Sequence, residues 1–538
     1  MYKSGHIDSF TRDNLPDPAL WPELTFDLPE LQYPDRLNAA ATLLTGAITR
    51  ENGTRPAILW SEGNWTYSEL QSRANQVAAV LTNELGLVAG NRVLLHGRNT
   101  PMMIASWYGI LLAGGVAVTT MPLLRACELT TIADKANVDF ALCEEGLSDE
   151  LNTACTASKR TFTSLTFGTD TSSLEPLLTK QSDEFTAVDT AQDDVALLAF
   201  TSGTTGQPKA CMHFHRDILA MADGYARHIV EPKASDVFCG SPPIAFTFGL
   251  GGIVVFPARF GAAVALPAGP TDLLATIERH RVSILFTAPT AYRAILSALE
   301  SDEKPDIASL KKCISAGETL PAATWHAWYE KTGLKLIDGI GATEMIHIFI
   351  SAKASEVRAG ATGKPVPGYQ ACILDSNGTV LAPPCEGRLA VKGPTGCRYL
   401  DDKRQRNYVV NGWNLTGDTY SQDSDGYFTF VARSDDMIIS SGYNIAGPEV
   451  EAALMSHKSV KECAVIGVPD GARGHIVKAF VVTEANHTDT LIDSLQKHVK
   501  DTIAPYKYPR AIAFVESIPK TQTGKIQRYK LKTIVQTS

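Results

Sequence analysis

The sequence predicts an α/β protein with a large N-terminal body, a small β subdomain and a smaller C-terminal α+β domain. The chain has 538 residues, 44% hydrophobic and 20% charged, which is typical of a globular protein too long for one ordinary domain. Apolar strand-like runs alternate with helical patterns through most of the first 330 residues. Short strands separated by Gly, Pro and Asn turns replace that alternation over about 366–430.

The alternation in the body predicts parallel sheets joined by crossover helices. Strands are expected over 92–96, 116–120 and 283–287, the last of them followed by a helix that holds Tyr292. Residues 101–124 carry no charge and are long enough to span a bilayer. Their glycines and prolines favour a buried helix and strand instead, as expected where a parallel sheet is covered on both faces. We therefore expect no membrane segment.

The pattern places the main domain boundary at Asp435. Residues 1–434 are expected to form the body, which includes the β subdomain, and residues 435–538 the C-terminal domain. A short αββα pattern supports the second domain, with elements expected over 448–454, 463–467, 478–482 and 490–499.

Composition excludes some functions. The net charge is −9 and no basic stripe with interleaved aromatics is present, so nucleic-acid binding is disfavoured. The ten cysteines include no CxxC pair, which indicates reduced thiols, and the N-terminus lacks the apolar core of a signal peptide. We expect a cytoplasmic protein. Monomer and homodimer both remain open.

The most informative stretch is 201–209, which reads TSGTTGQPK and follows the apolar run 195–200. Glycines let backbone N–H groups approach an anion, and hydroxyls and a lysine add donors and charge. This predicts a phosphate-binding loop after a buried strand. It is not a Walker A loop, because two residues separate Gly206 from Lys209. A Thr/Gly-rich surface turn is the alternative. The candidate ligands are Thr201, Ser202, Gly203, Thr204, Thr205 and Lys209.

The nine-residue string resembles the phosphate loop of the adenylate-forming superfamily, which contains acyl- and aryl-CoA ligases, luciferases and carrier-loading adenylation domains. Further segments resemble this family in the right order, so the resemblance covers nearly the whole chain. They are 315–318, 337–344, 413–418, 433–436, 440–444 and 519–526. The resemblance implies ATP, Mg²⁺ and coenzyme A as reactants or cofactors, and a mobile C-terminal domain.

The resemblance also implies roles for single residues. Thr343 would contact the adenylate phosphate, Glu344 the magnesium ion, Asp418 the ribose hydroxyls and Arg433 the nucleotide. Lys525 would reach the substrate carboxylate and the α-phosphate, where a fixed cation lowers the barrier. The catalytic residues implied are therefore Lys525, Thr343 and Glu344. Further nucleotide contacts are implied for Ser315, Ala316, Gly317, Glu318, Asp338, Gly339 and Ile340.

Ile340 departs from the family pattern, because many members have an adenine-stacking tyrosine there; aryl-CoA ligases of the benzoate type share the isoleucine. Asp435 matches the family's hinge residue. The segment 441–443 resembles the strand that lines the pantetheine tunnel in this family; its residues are Ser441, Gly442 and Tyr443.

The acid pocket implied by the resemblance is short, flat and aromatic, which suits a planar ring. Its candidate residues are Thr247, Phe248, Gly249, Ala316, Gly341, His347 and Ile348. Thr247 and His347 would supply polar atoms for an ortho amino group. Alternatively, His347 is a packed histidine at the pocket floor.

The segments 411–418 and 441–449 look most like the corresponding segments of 2-aminobenzoate–CoA ligases. The sequence therefore predicts an ATP-dependent aryl-acid–CoA ligase acting on anthranilate. A benzoate-type ligase, an enzyme that loads an aryl acid onto a carrier protein, and a non-catalytic nucleotide-binding protein are the alternatives.

Overall fold

The computed structural model describes residues 1–51, 53–201, 208–301, 305–433, 436–440, 443–470, 474–503, 505–520 and 525–537. The chain divides into two compact units. The first unit comprises Met1–Ala371 and Val391–Asn414, and the second comprises Cys372–Ala390 and Leu415–Ser538. The division falls within strands of the predicted β subdomain. Asp435 lies outside the described residues, so the boundary expected there stays a prediction.

The strands, in chain order, are β1 (Pro56–Trp60), β2 (Gly63–Thr66), β3 (Arg92–His96), β4 (Val116–Thr120), β5 (Phe140–Glu144), β6 (Thr163–Phe167), β7 (Val195–Thr201), β8 (Lys209–Phe214), β9 (Val237–Gly240), β10 (Ala263–Ala265), β11 (Ile284–Thr287), β12 (Lys312–Ala316), β13 (Leu336–Gly341), β14 (Ile348–Ser351), β15 (Lys364–Pro365), β16 (Gln370–Leu374), β17 (Cys385–Lys392), β18 (Val409–Val410), β19 (Trp413–Gln422), β20 (Phe428–Arg433), β21 (Ile438–Ser440), β22 (Tyr443–Ile445), β23 (Glu462–Asp470), β24 (Gly474–Val482) and β25 (Ala511–Phe514).

The α-helices are α1 (Phe10–Asp13), α2 (Ala39–Glu51), α3 (Tyr67–Ala79), α4 (Pro101–Leu112), α5 (Ala126–Ala136), α6 (Ser148–Ala157), α7 (Glu175–Leu178), α8 (His215–Met221), α9 (Thr247–Gly249), α10 (Phe256–Phe260), α11 (Leu273–His280), α12 (Pro289–Leu299), α13 (Ala322–Thr332), α14 (Gln405–Tyr408), α15 (Gly447–Met455), α16 (Asp489–Thr502) and α17 (Arg528–Thr537). Three π-helical segments continue α3, α8 and α9, at Val80–Glu84, Ala222–Val230 and Leu250–Val255. Short 3-10 turns lie at Pro18–Leu20, Pro29–Leu31, Glu145–Leu147, Pro270–Asp272, Thr343–Met345 and Pro505–Lys507.

The first unit contains a six-stranded sheet in the order β6-β5-β3-β4-β7-β8. Its strands run parallel except for β8, which returns antiparallel to β7. Every residue of β3 and β4 is buried. Burial on both faces explains why these strands read as continuous apolar runs, and it confirms the strands expected from them.

A second, nine-stranded sheet has the order β15-β14-β13-β12-β11-β9-β10-β1-β2. The six neighbouring strands β13, β12, β11, β9, β10 and β1 pair in parallel, whereas the pairs at both edges are antiparallel. The parallel strands β11 to β13 end at the same edge, where several predicted site residues lie. The mixed sheets confirm the predicted α/β class.

Helix α4 explains the long uncharged stretch of the sequence. The Thr100 side chain accepts a hydrogen bond from the Met103 amide, and Pro101 occupies the first turn of the helix. These two residues fix the position at which the helix begins. Ten consecutive residues from Met103 to Leu112 are buried. Among the described helices, none is long and apolar enough to cross a membrane.

The second unit is built on the three-stranded sheet β23-β24-β25, in which β23 and β24 pair antiparallel and β24 and β25 parallel. Helices α15 and α16 pack on it through a core that includes Val450, Leu454, Val477 and Leu495. Strands β19 and β20 also pair antiparallel. These elements confirm the short strands and helices that the sequence predicts after residue 366.

Candidate active site

The predicted phosphate loop connects two paired strands. Thr201 ends β7, Lys209 begins β8, and their Cα atoms are partners in an antiparallel register. The connection is therefore a hairpin rather than the strand-to-helix turn of a P-loop. The candidates Ser202, Gly203, Thr204 and Thr205 lie outside the described residues.

Lys209 is held beside Tyr399. Its Nζ donates to Tyr399 Oη at 3.2 Å and lies 5.0 Å from the centre of that ring. Tyr399 is fully buried, and Lys209 is half-buried. The ammonium group therefore sits at one end of a rigid aromatic side chain in the first unit.

The predicted catalytic turn follows β13. Thr343 and Glu344 open the 3-10 turn Thr343–Met345, and Glu344 is 9% exposed. Tyr399 Oη donates to Glu344 Oε1 at 2.5 Å. The same tyrosine hydroxyl thus joins Lys209 to Glu344, two residues that the sequence assigns to separate motifs.

Glu344 fits the predicted role of a magnesium ligand. No group of three or more His, Cys, Asp or Glu side chains that could hold a metal occurs in the part of the chain that the structure describes. Mg²⁺ characteristically takes one or two protein carboxylates and completes its shell with phosphate oxygens and water. A single carboxylate, held through one oxygen by a hydroxyl, meets that requirement.

The backbone of this turn is held by two further side chains. His213 Nε2 lies 2.8 Å from the Thr343 carbonyl oxygen, and because a carbonyl only accepts, Nε2 carries the proton. Thr395 Oγ1 donates to the Met345 carbonyl at 2.8 Å. His213 and Thr395 are fully buried, so these bonds form away from bulk water.

A buried ion pair lies behind His213. Asp217 and Arg398, both fully buried, are bonded to each other, and His213 Nδ1 lies 3.8 Å from Asp217 Oδ2. Burial opposes ionisation of Asp217, yet the Arg398 guanidinium holds the pKa of that carboxyl below its usual range. An ionised carboxylate thus faces the histidine.

The candidates for adenine contact lie on two neighbouring strands. Ser315 pairs with Asp338 and Ala316 with Gly339 in the parallel register of β12 and β13. Gly317 follows with φ +91°, a conformation that favours glycine, and Glu318 comes next. The structure therefore brings these motifs together at one sheet edge, with Ile340 on the same strand β13.

Asp338 carries a perturbed carboxyl group. Burial raises its pKa to about 8, and the Gly339 amide only partly opposes the shift. Its Oδ1 is buried without a hydrogen-bond partner. Protonation near neutral pH relieves the desolvation of this group.

Two of the candidate acid-binding residues, Phe248 and His347, belong to an aromatic cluster, defined as Tyr225, Phe248, Phe256, Phe286 and His347. The His347 ring lies 4.7 Å from Phe256, 5.3 Å from Tyr225 and 5.8 Å from Phe248, measured between ring centres. Burial lowers the pKa of His347 to about 3, so the imidazole is neutral. The packed-histidine interpretation agrees with these contacts.

Glycines bring a helical segment against this cluster. A Cβ atom on Gly251 would lie 2.5 Å from His347 Nε2, and one on Gly252 would lie 2.6 Å from Phe286 Cγ. Thr247 begins the same stretch and is 8% exposed, with Phe248 and Gly249 after it. Gly341 and Ile348 are partners in the β13–β14 pairing. Ile348 directly follows His347, and a Cβ atom on Gly341 would lie 2.8 Å from the His347 carbonyl oxygen.

In the second unit Asp418 and Arg433 face each other on β19 and β20. Arg433 Nη1 lies 3.0 Å from Asp418 Oδ1. Burial raises the pKa of Asp418, while Arg433 and Lys525 oppose that shift. Lys525 is exposed. Ser441 and Gly442 lie outside the described residues, and Tyr443 begins β22.

Sequence reasoning missed Tyr399, His213 and Thr395. None of them lies in a motif that the sequence analysis singled out, and Tyr399 is 55 residues from Glu344 in the chain. His213 lies on β8, the strand that begins at Lys209, and its closeness to the predicted phosphate loop is a signal that could have marked it.

Two protein-family models match most of the chain. Residues 47–398 match the AMP-binding enzyme family, and residues 449–525 match the AMP-binding enzyme C-terminal domain. The benzoate–CoA ligase of Thauera aromatica is 34% identical over 520 residues, 94% of this chain and 97% of that protein. The mitochondrial acyl-coenzyme A synthetase ACSM3 of Rattus norvegicus is 33% identical over 531 residues, 94% of this chain and 91% of that protein. The crystal structure of the anthranilate CoA ligase AuaEII in complex with anthranoyl-AMP superposes with a TM-score of 0.88 at 32% identity, covering 94% and 99% of the two chains.

Proposed function

The chain belongs to the AMP-binding enzyme family of ATP-dependent CoA ligases, and from that premise we propose that it activates an aromatic carboxylic acid. The proposed overall reaction converts the acid, ATP and coenzyme A into an aryl-CoA thioester, AMP and pyrophosphate. Anthranilate is the substrate we favour. The relatives that act on benzoate and anthranilate support an aromatic acid.

The observation that carries the proposal is the glycine contact beneath His347. Because Gly251 and Gly252 lack side chains, their helical segment packs directly on His347 and Phe286. A pocket that ends at this contact has a short, aromatic floor suited to one planar ring. A long alkyl chain would need an open tunnel at the same place.

The chemistry divides into two steps. In the first, a carboxylate oxygen of the acid attacks the α-phosphorus of ATP. The bond between that phosphorus and the oxygen bridging to the β-phosphate breaks, and pyrophosphate leaves with this oxygen and the electron pair. Lys525 neutralises the charge that gathers on the carboxylate and phosphate oxygens. In the second, the CoA thiolate attacks the acyl carbon, and AMP leaves with the electron pair of the broken C–O bond.

We assign nucleotide-binding roles to single residues of the matched motifs. Lys209 and Thr343 contact phosphate oxygens, Asp418 accepts from the ribose hydroxyls, and Glu344 is the protein ligand of Mg²⁺. When bound, the ion neutralises phosphate charge. Asp435 is the hinge, and Ser441 to Tyr443 border the path of the CoA arm. The ten free cysteines support a cytoplasmic location.

Anthranilate is favoured over benzoate because polar atoms are available near the ring. The Thr247 hydroxyl accepts from the ortho amino group, and the neutral His347 ring offers one nitrogen as acceptor. Hydrogen bonds to a buried substrate amine discriminate strongly against an analogue without it.

Initial rates of pyrophosphate release test this proposal. The assay uses MgATP with anthranilate, benzoate, hydroxybenzoates or hexanoate, with and without CoA. We expect CoA-dependent turnover with the highest kcat/KM on anthranilate. Pyrophosphate release without a CoA thioester would favour the carrier-loading alternative, and fastest turnover of hexanoate would contradict an aryl pocket.

A further inference from the structure

The Tyr399 hydroxyl occupies the space between two groups of opposite charge. Lys209 Nζ donates to Tyr399 Oη at 3.2 Å, and the hydroxyl donates to Glu344 Oε1 at 2.5 Å. The lysine and the glutamate are thus linked through one neutral group rather than paired directly.

The direction of both hydrogen bonds follows from the state of the phenol. A phenol keeps its proton at neutral pH, whereas a carboxylate only accepts and an ammonium only donates. The Tyr399 hydroxyl therefore donates a hydrogen bond to the Glu344 carboxylate, while its lone pair accepts one from the Lys209 ammonium. A charge-assisted bond of this kind is stronger than one between neutral groups.

Tyr399 is itself fixed by its surroundings. Its amide donates to Gln405 Oε1 at 2.9 Å, and its backbone forms an antiparallel bridge with Cys211. The Tyr408 ring packs edge-on at 5.8 Å. The hydroxyl cannot follow either charged partner without disturbing this buried frame.

The turn that carries Glu344 needs such support. Ile346 follows it with φ +64°, a conformation that is unfavourable for a β-branched residue. His213 and Thr395 hold the carbonyls of Thr343 and Met345. Tyr399 adds a restraint on the Glu344 side chain, so backbone and carboxylate are fixed together.

We propose that Tyr399 is a positioning residue that holds Glu344 and Lys209 apart and ready for MgATP. Opposite charges in a partly buried site attract strongly, and a direct Lys209–Glu344 ion pair would occupy both the metal ligand and the phosphate ligand. The hydroxyl prevents this collapse and leaves Glu344 Oε2 for the ion. This inference rests on the proposed function only in assigning MgATP to this site.

The test compares Tyr399→Phe with Tyr408→Phe, which removes a neighbouring tyrosine hydroxyl outside the site. Electron paramagnetic resonance measures Mn²⁺ binding to the enzyme at saturating ATP and without any acid. We expect Tyr399→Phe to weaken Mn²⁺ binding by about 10–100-fold, the usual effect of losing a group that orients a metal ligand. Tyr408→Phe is expected to bind Mn²⁺ as the parent does.

A double variant separates the collapse from a general structural defect. If the ammonium moves onto the carboxylate in Tyr399→Phe, then adding Lys209→Met restores Mn²⁺ binding to the level of the Lys209→Met single variant, which lacks the same phosphate contact. Unchanged Mn²⁺ binding in Tyr399→Phe, or no recovery in the double variant, overturns the proposal. The acid plays no part here, so an error in the acid assignment leaves the result unaffected.

If Tyr399→Phe does not fold, a fluorine-labelled tyrosine at position 399 provides a second test of the proposal. With 3-fluorotyrosine at position 399, the fluorine resonance is expected to shift when MgATP is added, while the same label at position 408 stays within its linewidth. Equal shifts at the two positions would contradict a specific role for Tyr399.

Discussion

Replacing Gly251 with alanine tests the floor of the proposed acid pocket. The new Cβ would lie 2.5 Å from Cδ2 and Nε2 of His347 and 2.9 Å from Phe256 Cζ. Ordinary carbon contacts lie near 3.5–4.0 Å, so the imidazole must move by about 1 Å. Because His347 is buried within the aromatic cluster, this movement enters the space assigned to the ring of the acid.

The size of the effect follows from that displacement. Inserting a methyl group into a packed site costs about 1–3 kcal/mol, and a misplacement of about 1 Å at a reacting group costs up to about 10²-fold in rate. We expect kcat/KM for anthranilate to fall by about 10–100-fold, with KM for ATP changed less than threefold. The measurement is steady-state pyrophosphate release with each substrate varied in turn.

Gly109→Ala is the matched control. Its Cβ would lie 2.6 Å from Val77 Cγ1, a comparable clash between α3 and α4, two helices that contain no residue of the aromatic cluster. This variant is expected to lose stability but keep its KM for the acid. If both variants show the same kinetics, overpacking acts through general destabilisation and the reasoning about the pocket floor is refuted.

Three further predictions concern single side chains. Thr247→Ala is expected to lower kcat/KM for anthranilate by about tenfold more than for benzoate, since one hydrogen bond to the amino group is lost; equal losses on both acids would remove Thr247 from substrate recognition. Lys525→Ala should slow pyrophosphate release by about 10²–10³-fold, with Lys530→Ala as the surface control, and similar rates in the two variants would contradict a catalytic cation at 525. Asp338→Asn should reduce the loss of thermal stability at high pH. The pKa of this buried carboxyl is raised from 3.8 to about 8, so the unfolded chain releases its proton first and the stability of the parent falls as pH rises through that window. Asparagine does not ionise, and the fall in Tm between pH 6 and 9 should shrink by about 2 °C in differential scanning calorimetry; parallel Tm profiles would show that the carboxyl is not titrating there.

Much of the fold could be predicted because its strands are buried on both faces. Strands β3, β4 and β7 each contain a run of three or more apolar residues, and each lies where the pattern expects it. The return of β8 antiparallel to β7 was not predicted, since a buried edge strand has the same apolar pattern in either direction.

The candidate site could be predicted only where its residues lie in short motifs. Thr343 and Glu344 lie in the short segment that begins with Gly339 and Gly341, so the sequence itself marks them. Tyr399 and Thr395 act from a distant segment, and their contacts depend on how that segment folds against the turn. Such contacts leave no local pattern, because the hydroxyl of a buried tyrosine or threonine has the same sequence signature whether it serves packing or a site.

The division of the chain into units also depends on long-range contacts. A composition change at residue 366 predicted the β-rich region. The chain, however, passes from one compact unit to the other at residues 372, 391 and 415. A chain that crosses between units three times gives no single boundary in its composition.

A competition experiment tests the central claim most directly. The protein is incubated with MgATP, CoA and equal concentrations of anthranilate, benzoate and hexanoate, and the thioesters are quantified by mass spectrometry at low conversion. The ratio of products equals the ratio of kcat/KM values, free of differences in enzyme concentration. An aryl-CoA ligase of the proposed specificity gives anthraniloyl-CoA as the main product, whereas a mixture dominated by hexanoyl-CoA would contradict the short aromatic pocket on which the account depends.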